Sequence, residues 1–238
     1  MKLVIDIGNT NAKIALFDGK KIFSTKILQE FSLKSIINFA SHYKIVSTII
    51  STVKTVNEEL LKISKYFNAV ILDKEILVPI KNQYKSLDTL GNDRLAGVVG
   101  ANVIWPKKNI VVIDAGTCLT IDLISNEGKY LGGRISPGIQ MRFQSLNTFT
   151  DKLPLLKLEK STPFIGDDSI SSIISGVQQG ILAEIKSVIS DCSAQYSELI
   201  VVVTGGDCFY FEKELKKSIF AEPNLVLIGL NEILDFNE

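Results

Sequence analysis

Two short segments of the chain place the same functional groups at nearly the same spacing. Asp6-Ile7-Gly8-Asn9-Thr10 and Asp114-Ala115-Gly116-Thr117 each set a carboxylate at the end of an apolar run, with a glycine two residues on and a threonine just beyond. A turn of this kind exposes backbone N–H groups, and with the threonine hydroxyl they can cradle a phosphate. The aspartate stands within reach of the phosphates or of a Mg²⁺ held by them. Lys13, three residues after Thr10, can add positive charge at the same place. A single Asp-x-Gly turn carries little weight; two matched copies point to a nucleotide site. The other common nucleotide loops, GxxxxGK[ST] and GxGxxG, do not occur in this chain.

Two further segments have chemical potential. Gly91-Asn92-Asp93-Arg94 stands at a predicted helix start. Its residues fit an ordinary cap, with Asn92 or Asp93 capping and Arg94 in solvent. They equally fit a base toward a hydroxyl (Asp93) beside an anchor for an anionic substrate (Arg94). Thr204-Gly205-Gly206-Asp207 follows an apolar strand, and its paired glycines would let a flat group approach the backbone. The only histidine is His42, near a predicted helix end. That excludes serine-hydrolase triads and HExxH metal sites and leaves the chemistry to carboxylates, amides, hydroxyls, Lys and Arg.

The elements that must hold these groups follow from hydrophobic spacing. Strands are predicted at 2–6, 12–17 and 21–27, a helix at 32–41, a strand at 45–51, a helix at 57–67 and a short strand at 69–72. A helix is expected over 92–104, ending before Trp105-Pro106. The order then restarts: strands at 110–114, 119–125 and 130–135, helices at 138–146 and 169–190, a strand at 199–203, a helix after 207, and a last strand at 225–228 before a short C-terminal helix. Val4-Ile5-Asp6-Ile7-Gly8 matches Val112-Ile113-Asp114-Ala115-Gly116 at an offset of 108. With one residue skipped, Thr10, Ile14 and Leu16 match Thr117, Ile121 and Leu123. The chain therefore reads as two copies of one β-β-β-α-β-α-β plan, residues 1–108 and 109–238, joined at Pro106 to Asn109.

Composition agrees with a chain that packs its own cores. Of 238 residues, 46% are hydrophobic and 22% charged, so burial is ample without staples. Twenty-six basic residues balance 26 acidic ones, and no basic stripe or helix-turn-helix is evident, so nucleic acid is not an expected partner. The three cysteines, Cys118, Cys192 and Cys208, are widely spaced and suggest neither disulfides nor zinc. A reducing cytoplasm is expected, and no apolar run is long enough for a membrane span.

Taken together, residues 6–13, Gly91 to Arg94, Asp114 to Thr117, Gly132-Gly133-Arg134-Ile135-Ser136-Pro137-Gly138, Thr150 to Pro154 and Thr204 to Asp207 resemble the type III pantothenate kinases. The resemblance runs over most of the chain in order. It implies two duplicated actin-like (ribonuclease H-like) α/β lobes with a nucleotide cleft between them. The implied activity is ATP-dependent phosphorylation of pantothenate to 4′-phosphopantothenate, the first step toward coenzyme A. Carried onto these positions, Asp6, Ile7, Gly8, Asn9, Thr10, Asn11, Ala12 and Lys13 form the ATP phosphate loop, with Asp6 near Mg²⁺, and Thr117 also contacts ATP. Asp93 accepts the proton of the pantothenate hydroxyl. Tyr84, Gly91, Asn92, Asp93, Arg94 and Thr150 contact pantothenate, and Asp114 binds a monovalent cation, K⁺ or NH₄⁺. The resemblance also implies a homodimer.

The chain departs from the family pattern in a few places. Cys118 stands for the usual Ala, Asp151 for Ala, Leu87 for Pro, and Asp168-Ser169 for Asn-Thr. None removes a residue implicated in catalysis. Two other functions share these motifs: a kinase of the same superfamily acting on another small molecule, and an ATP-binding regulatory protein without an acceptor.

Overall fold

A computed structural model describes residues 1–215 and 219–238. The chain divides into two compact units. The first comprises Met1–Lys107, Ile124–Gly132 and Asn224–Glu238; the second comprises Lys108–Leu123 and Gly133–Pro223. The first break between the units falls between Lys107 and Lys108. Residues 124–132 and 224–238, which the sequence reading assigned to the second lobe, are grouped with the first unit.

In the first unit, β1 (Lys2–Ile7), β2 (Ala12–Asp18) and β3 (Lys21–Leu28) form a meander, followed by α1 (Leu33–Ala40), β4 (Ser47–Thr52), α2 (Glu58–Phe67) and β5 (Val70–Ile71). The sheet order is β3-β2-β1-β4-β5, with β2 antiparallel and β4 parallel to β1. Gly19, at φ 56°, makes the tight turn between β2 and β3 that Asp18-Gly19 predicts. Side chains alternate across the sheet. Leu3, Ile5, Ile14, Leu16 and Ile50 face α1 and α2, in one core with Ile36, Leu60 and Ile63. Val4, Ala15, Phe17 and Ile49 face the other way, in a core with Ala96, Val99, Leu230 and Ile233.

That second core contains two further helices. A short strand β6 (Lys81–Asn82) and a 3₁₀ turn (Leu87–Thr89) lead into α3 (Asn92–Ile104), and the chain ends in α7 (Leu225–Phe236). The two helices cross backbone to backbone. A Cβ on Gly229 would lie 1.8 Å from the Ala96 carbonyl oxygen, and one on Gly100 would lie 2.3 Å from that of Leu225. Glycine is required at this crossing by space, not by backbone angle.

The second unit repeats the plan: β7 (Ile110–Ala115), β8 (Cys118–Ile124), β9 (Lys129–Pro137), α4 (Ile139–Thr148), α5 (Ser169–Gln195), β10 (Ile200–Thr204), α6 (Cys208–Leu215) and β11 (Ile219–Ala221). Strand order β11-β10-β7-β8-β9 matches β5-β4-β1-β2-β3 position for position. Helix α5 starts with a reciprocal cap in which the Asp168 carboxylate accepts from Ser171 N–H and the Ser171 hydroxyl accepts from Asp168 N–H. Its apolar stripe, Ile173, Val177, Ile181 and Ile185, packs against Val111, Ile113, Leu119 and Ile121. The β8–β9 turn belongs to the first unit, where Lys81 and Asn82 pair in parallel with Lys129 and Tyr130.

The C-terminal segment differs from the sequence expectation, and the short β6 and the 3₁₀ turn were not expected. Residues 225–228, expected as a strand, are the first turn of α7, and the closing strand is β11. The run Leu-Val-Leu-Ile-Gly-Leu is buried on nearly every side, so its helical period is hidden. An apolar run of that length does not distinguish a strand from a buried helix.

Candidate active site

The first unit's polar groups lie in a single row across its sheet. Strand register aligns Lys13 on β2, Asp6 on β1 and Ser51 on β4. One pleat further in, the same face carries Ala15, Val4 and Ile49, all fully buried. The face thus changes from apolar core to charge within two residues, where the strands give way to the turn of residues 8–11. In that turn Gly8 N–H donates to the Asn11 carbonyl at 3.0 Å, and Asn9, Thr10 and Asn11 are exposed. Ile7 and Ala12 flank it as buried anchors in the α1 and α2 core.

Asp6 is the most perturbed of these groups. Its carboxyl is pushed up to about 7, first by burial and then by the negative charge of Asp93; Ser51 and Lys13 act in the opposite direction. Its Oδ1 is buried and has no hydrogen-bond partner among the described residues. This is where a hard cation fits, because a cation would take the orphaned oxygen and relieve the repulsion. Mg²⁺ commonly binds through one or two carboxylates plus substrate phosphates. No group of three or more His, Cys, Asp or Glu able to hold a metal occurs among the described residues.

Helix α3 begins with the Gly91 to Arg94 segment in the same unit. Its N-cap is Gly91, without a side-chain cap. Asn92 does not cap; its amide donates to the Leu72 carbonyl at 2.7 Å and ties the helix start to the end of β5. The Asp93 carboxylate accepts from Arg94 N–H at 2.8 Å, and a Cβ on Gly91 would lie 2.5 Å from Asp93 Oδ1. Glycine at 91 therefore leaves the space the carboxylate occupies. Arg94 is buried, not solvated: its Nη1 donates to the Tyr84 hydroxyl at 3.4 Å, and its Cζ lies 5.4 Å from the Tyr84 ring centre. Tyr84 stacks on Tyr130 with centroids 5.9 Å apart and planes 11° from parallel. Asp6, Lys13, Tyr84, Gly91, Asn92, Asp93 and Arg94 thus all belong to the first unit.

The second unit holds Asp114, Thr117 and Thr150. Its Asp-x-Gly turn is one residue tighter than the first, since Gly116 N–H donates to the Cys118 carbonyl at 3.0 Å. That accounts for the residue skipped in aligning the copies. The turn is closely walled. A Cβ on Gly138 would lie 2.3 Å from the Gly116 carbonyl, and one on Gly205, at φ 89°, would lie 2.4 Å from Asp114 Oδ1. One glycine of each motif, Gly133 and Gly205, therefore packs close against backbone at Ile121 and Ala115. Gly133, for example, makes room for the buried Asp122 carboxylate. Asp207, after the paired glycines, has its carboxyl raised by burial. Thr117 is exposed, and its carbonyl accepts from Gly138 N–H at 3.2 Å.

Thr150 has a local role: its hydroxyl donates to the Leu146 carbonyl at 2.6 Å at the end of α4. Beside it, α4 and α5 enclose a cavity of about 860 Å³ lined by Arg142, Ser145, Leu153, Asp168, Ser169 and Ile173. Arg142 pairs with Glu184. Sequence reasoning did not single out Arg142 or Ser51. Arg142 gave no local signal, whereas Ser51 could have been found by aligning β4 with β1.

The fold is that of the actin-like ATPases and sugar kinases. One solved structure with it is the activator of 2-hydroxyisocaproyl-CoA dehydratase from Clostridium difficile with bound ADPNP, which is 13% identical with a TM-score of 0.54, covering 99% of this chain and 93% of that one. A model of the type III pantothenate kinase family matches residues 2–191. Type III pantothenate kinases from Phocaeicola vulgatus and Bacteroides fragilis are 42% and 43% identical over 100% of this chain and 99% and 98% of theirs. The chain belongs to the type III pantothenate kinase family, and its reaction is the ATP-dependent phosphorylation of pantothenate.

Proposed function

We propose that Asp93 is the base toward the pantothenate hydroxyl and that residues 6–13 hold the ATP phosphates. The observation carrying this reading is the negative charge of Asp93 acting on buried Asp6. That influence supports a base on the acceptor side close to the Asp6 carboxylate. Phosphoryl transfer needs alignment and charge neutralisation more than covalent chemistry. Asp93 orients the hydroxyl and takes its proton. Gly8 to Asn11 present amides and hydroxyls to phosphate, and Lys13 adds positive charge. Asp6 would hold Mg²⁺, which offsets the phosphate charge when bound. Tyr84 and Arg94 would anchor pantothenate with Gly91 and Asn92, and Thr150 would contribute from the second unit.

In that unit we assign Asp114 to a monovalent cation, K⁺ or NH₄⁺, and Thr117 to ATP. The donors fit a hard cation, because the Asp114 carboxylate and the Ala115 carbonyl oxygen both lie against Gly205 at this turn. A homodimer is supported by strongly exposed apolar side chains in the second unit, notably Phe149 (85%), Phe164 (82%) and Ile165 (75%). We place the enzyme in the cytoplasm, at the first step toward coenzyme A. The test is ADP release with a panel of acceptors, with and without K⁺. Turnover specific to pantothenate and enhanced by K⁺ is expected. ATP binding without turnover on any acceptor would favour a regulatory protein.

A further inference from the structure

Three strands contribute one residue each to the polar row, and only Ser51 has no role in the reading above. Its position is unusual for a serine. It is fully buried at the end of β4, in a run otherwise rich in β-branched residues. On its own face the preceding residue is Ile49, part of the α3 and α7 core. A valine there would extend that core and suit the strand. Instead a hydroxyl lies beside a carboxylate. Ser51 and Asp6 are register partners on adjacent parallel strands, so their side chains leave the sheet on the same side.

Both groups are unsatisfied. Ser51 Oγ and Asp6 Oδ1 are buried and have no hydrogen-bond partner among the described residues. A buried polar atom left unpaired is costly and rare. Two of them on register partners form a pair that a single hydrogen bond between them would satisfy. A charged carboxylate can only accept, and a serine hydroxyl can rotate to donate.

We propose that Ser51 is a positioning residue: its hydroxyl donates to the Asp6 carboxylate and fixes the orientation in which Asp6 meets the metal-bound phosphates. The inference rests on the assignment of Asp6 given above. Ser51 touches neither substrate nor metal; it restricts Asp6 to one rotamer, as groups behind metal ligands generally do.

Calorimetry on the full chain tests this by measuring ADP binding with and without Mg²⁺. The quantity read is the gain in affinity that Mg²⁺ confers. Ser51→Ala is expected to reduce that gain about tenfold, with metal-free ADP affinity and the pantothenate KM unchanged. Ser51→Thr, which keeps the hydroxyl, is expected to restore most of it. If Ser51→Ala does not fold, Ser51→Cys supplies a same-sized side chain with a weak donor and is expected to show the same loss. A full Mg²⁺ gain in Ser51→Ala, or in Ser51→Cys where that replaces it, overturns the proposal. So does an equal loss with and without metal, which would mark a structural role. Asp6→Asn separates the two levels. If it abolishes the gain while Ser51→Ala keeps it, only the role of Ser51 fails. If Asp6→Asn keeps the gain, or the unaltered protein shows none, the assignment of Asp6 fails and the Ser51 proposal fails with it.

Discussion

Asp93 and Asp6 are both carboxylates, and their surroundings give them different tasks. Asp93 is half-buried at a helix start, with one oxygen engaged by Arg94 N–H. As the base, it should be indispensable to turnover and nearly irrelevant to nucleotide binding. Asp93→Asn is expected to lower kcat by roughly 10²–10⁴-fold, with ADP affinity unchanged by calorimetry. A kcat within a few-fold of the unaltered enzyme would mean another group takes the proton. Asp6 carries a different prediction. Its folded carboxyl sits at about 7 against an ordinary 3.8. The folded protein therefore holds a proton that the unfolded chain has already released. Stability from this group is fully present below the ordinary value and is lost as pH rises through about 7. Without nucleotide or metal, the thermal midpoint should fall between pH 5 and about 8. Asp6→Asn, which cannot ionise, should flatten that slope. An unchanged slope in the variant would mean the titrating group lies elsewhere.

At the scale of elements, α3 delivers Asp93 and Arg94, and α7 fixes α3. The Gly229 and Gly100 contacts involve backbone on the partner helix, which cannot move aside like a side-chain tip. Gly229→Ala should force the helices apart and cost about 1–3 kcal/mol in urea unfolding. Because α3 begins at the base, kcat should fall along with stability. Gly176, inside α5, is the control: a Cβ there meets nothing within 4 Å. Gly176→Ala should be neutral or stabilising by up to about 1 kcal/mol. If Gly229→Ala unfolds at the same urea concentration as the parent, the close crossing is not what holds α3. Hairpins, helix starts and the Asp-x-Gly turns were legible in the sequence because each is written in adjacent residues. Helix α7 was not, because its burial on nearly all sides erases the period that would identify it.

At the scale of the whole molecule, the duplication gave two similar turns different surroundings. The first turn is exposed and spans one residue more; the second is walled by Gly138 and Gly205. That difference suits a phosphate loop in one copy and an oxygen-lined cation site in the other. Asp114→Asn is expected to abolish activation by K⁺ while leaving the K⁺-independent rate within a few-fold. Retained activation would place the cation elsewhere. The exposed phenylalanines lead to a second measurement. Light scattering should give the mass of two chains, and Phe164→Ser should shift the equilibrium toward one chain. A monomer in the unaltered protein would remove the dimer from this reading.

The family and the reaction class were legible in sequence alone, because the motifs that define them are contiguous and one of them repeats at an offset of 108. The repeat also foretold a shared five-strand order, since similar apolar spacing folds to similar sheets. Tertiary structure decided what depends on register and burial. It turned Arg94 from a solvated residue into a buried partner of Tyr84. It gave Thr150 a local bond at the end of α4. It placed Ser51 beside Asp6 although 45 residues separate them in the chain. Local sequence sets which turn a segment makes; the desolvation and charge that give a carboxylate its task come from residues that only folding brings together.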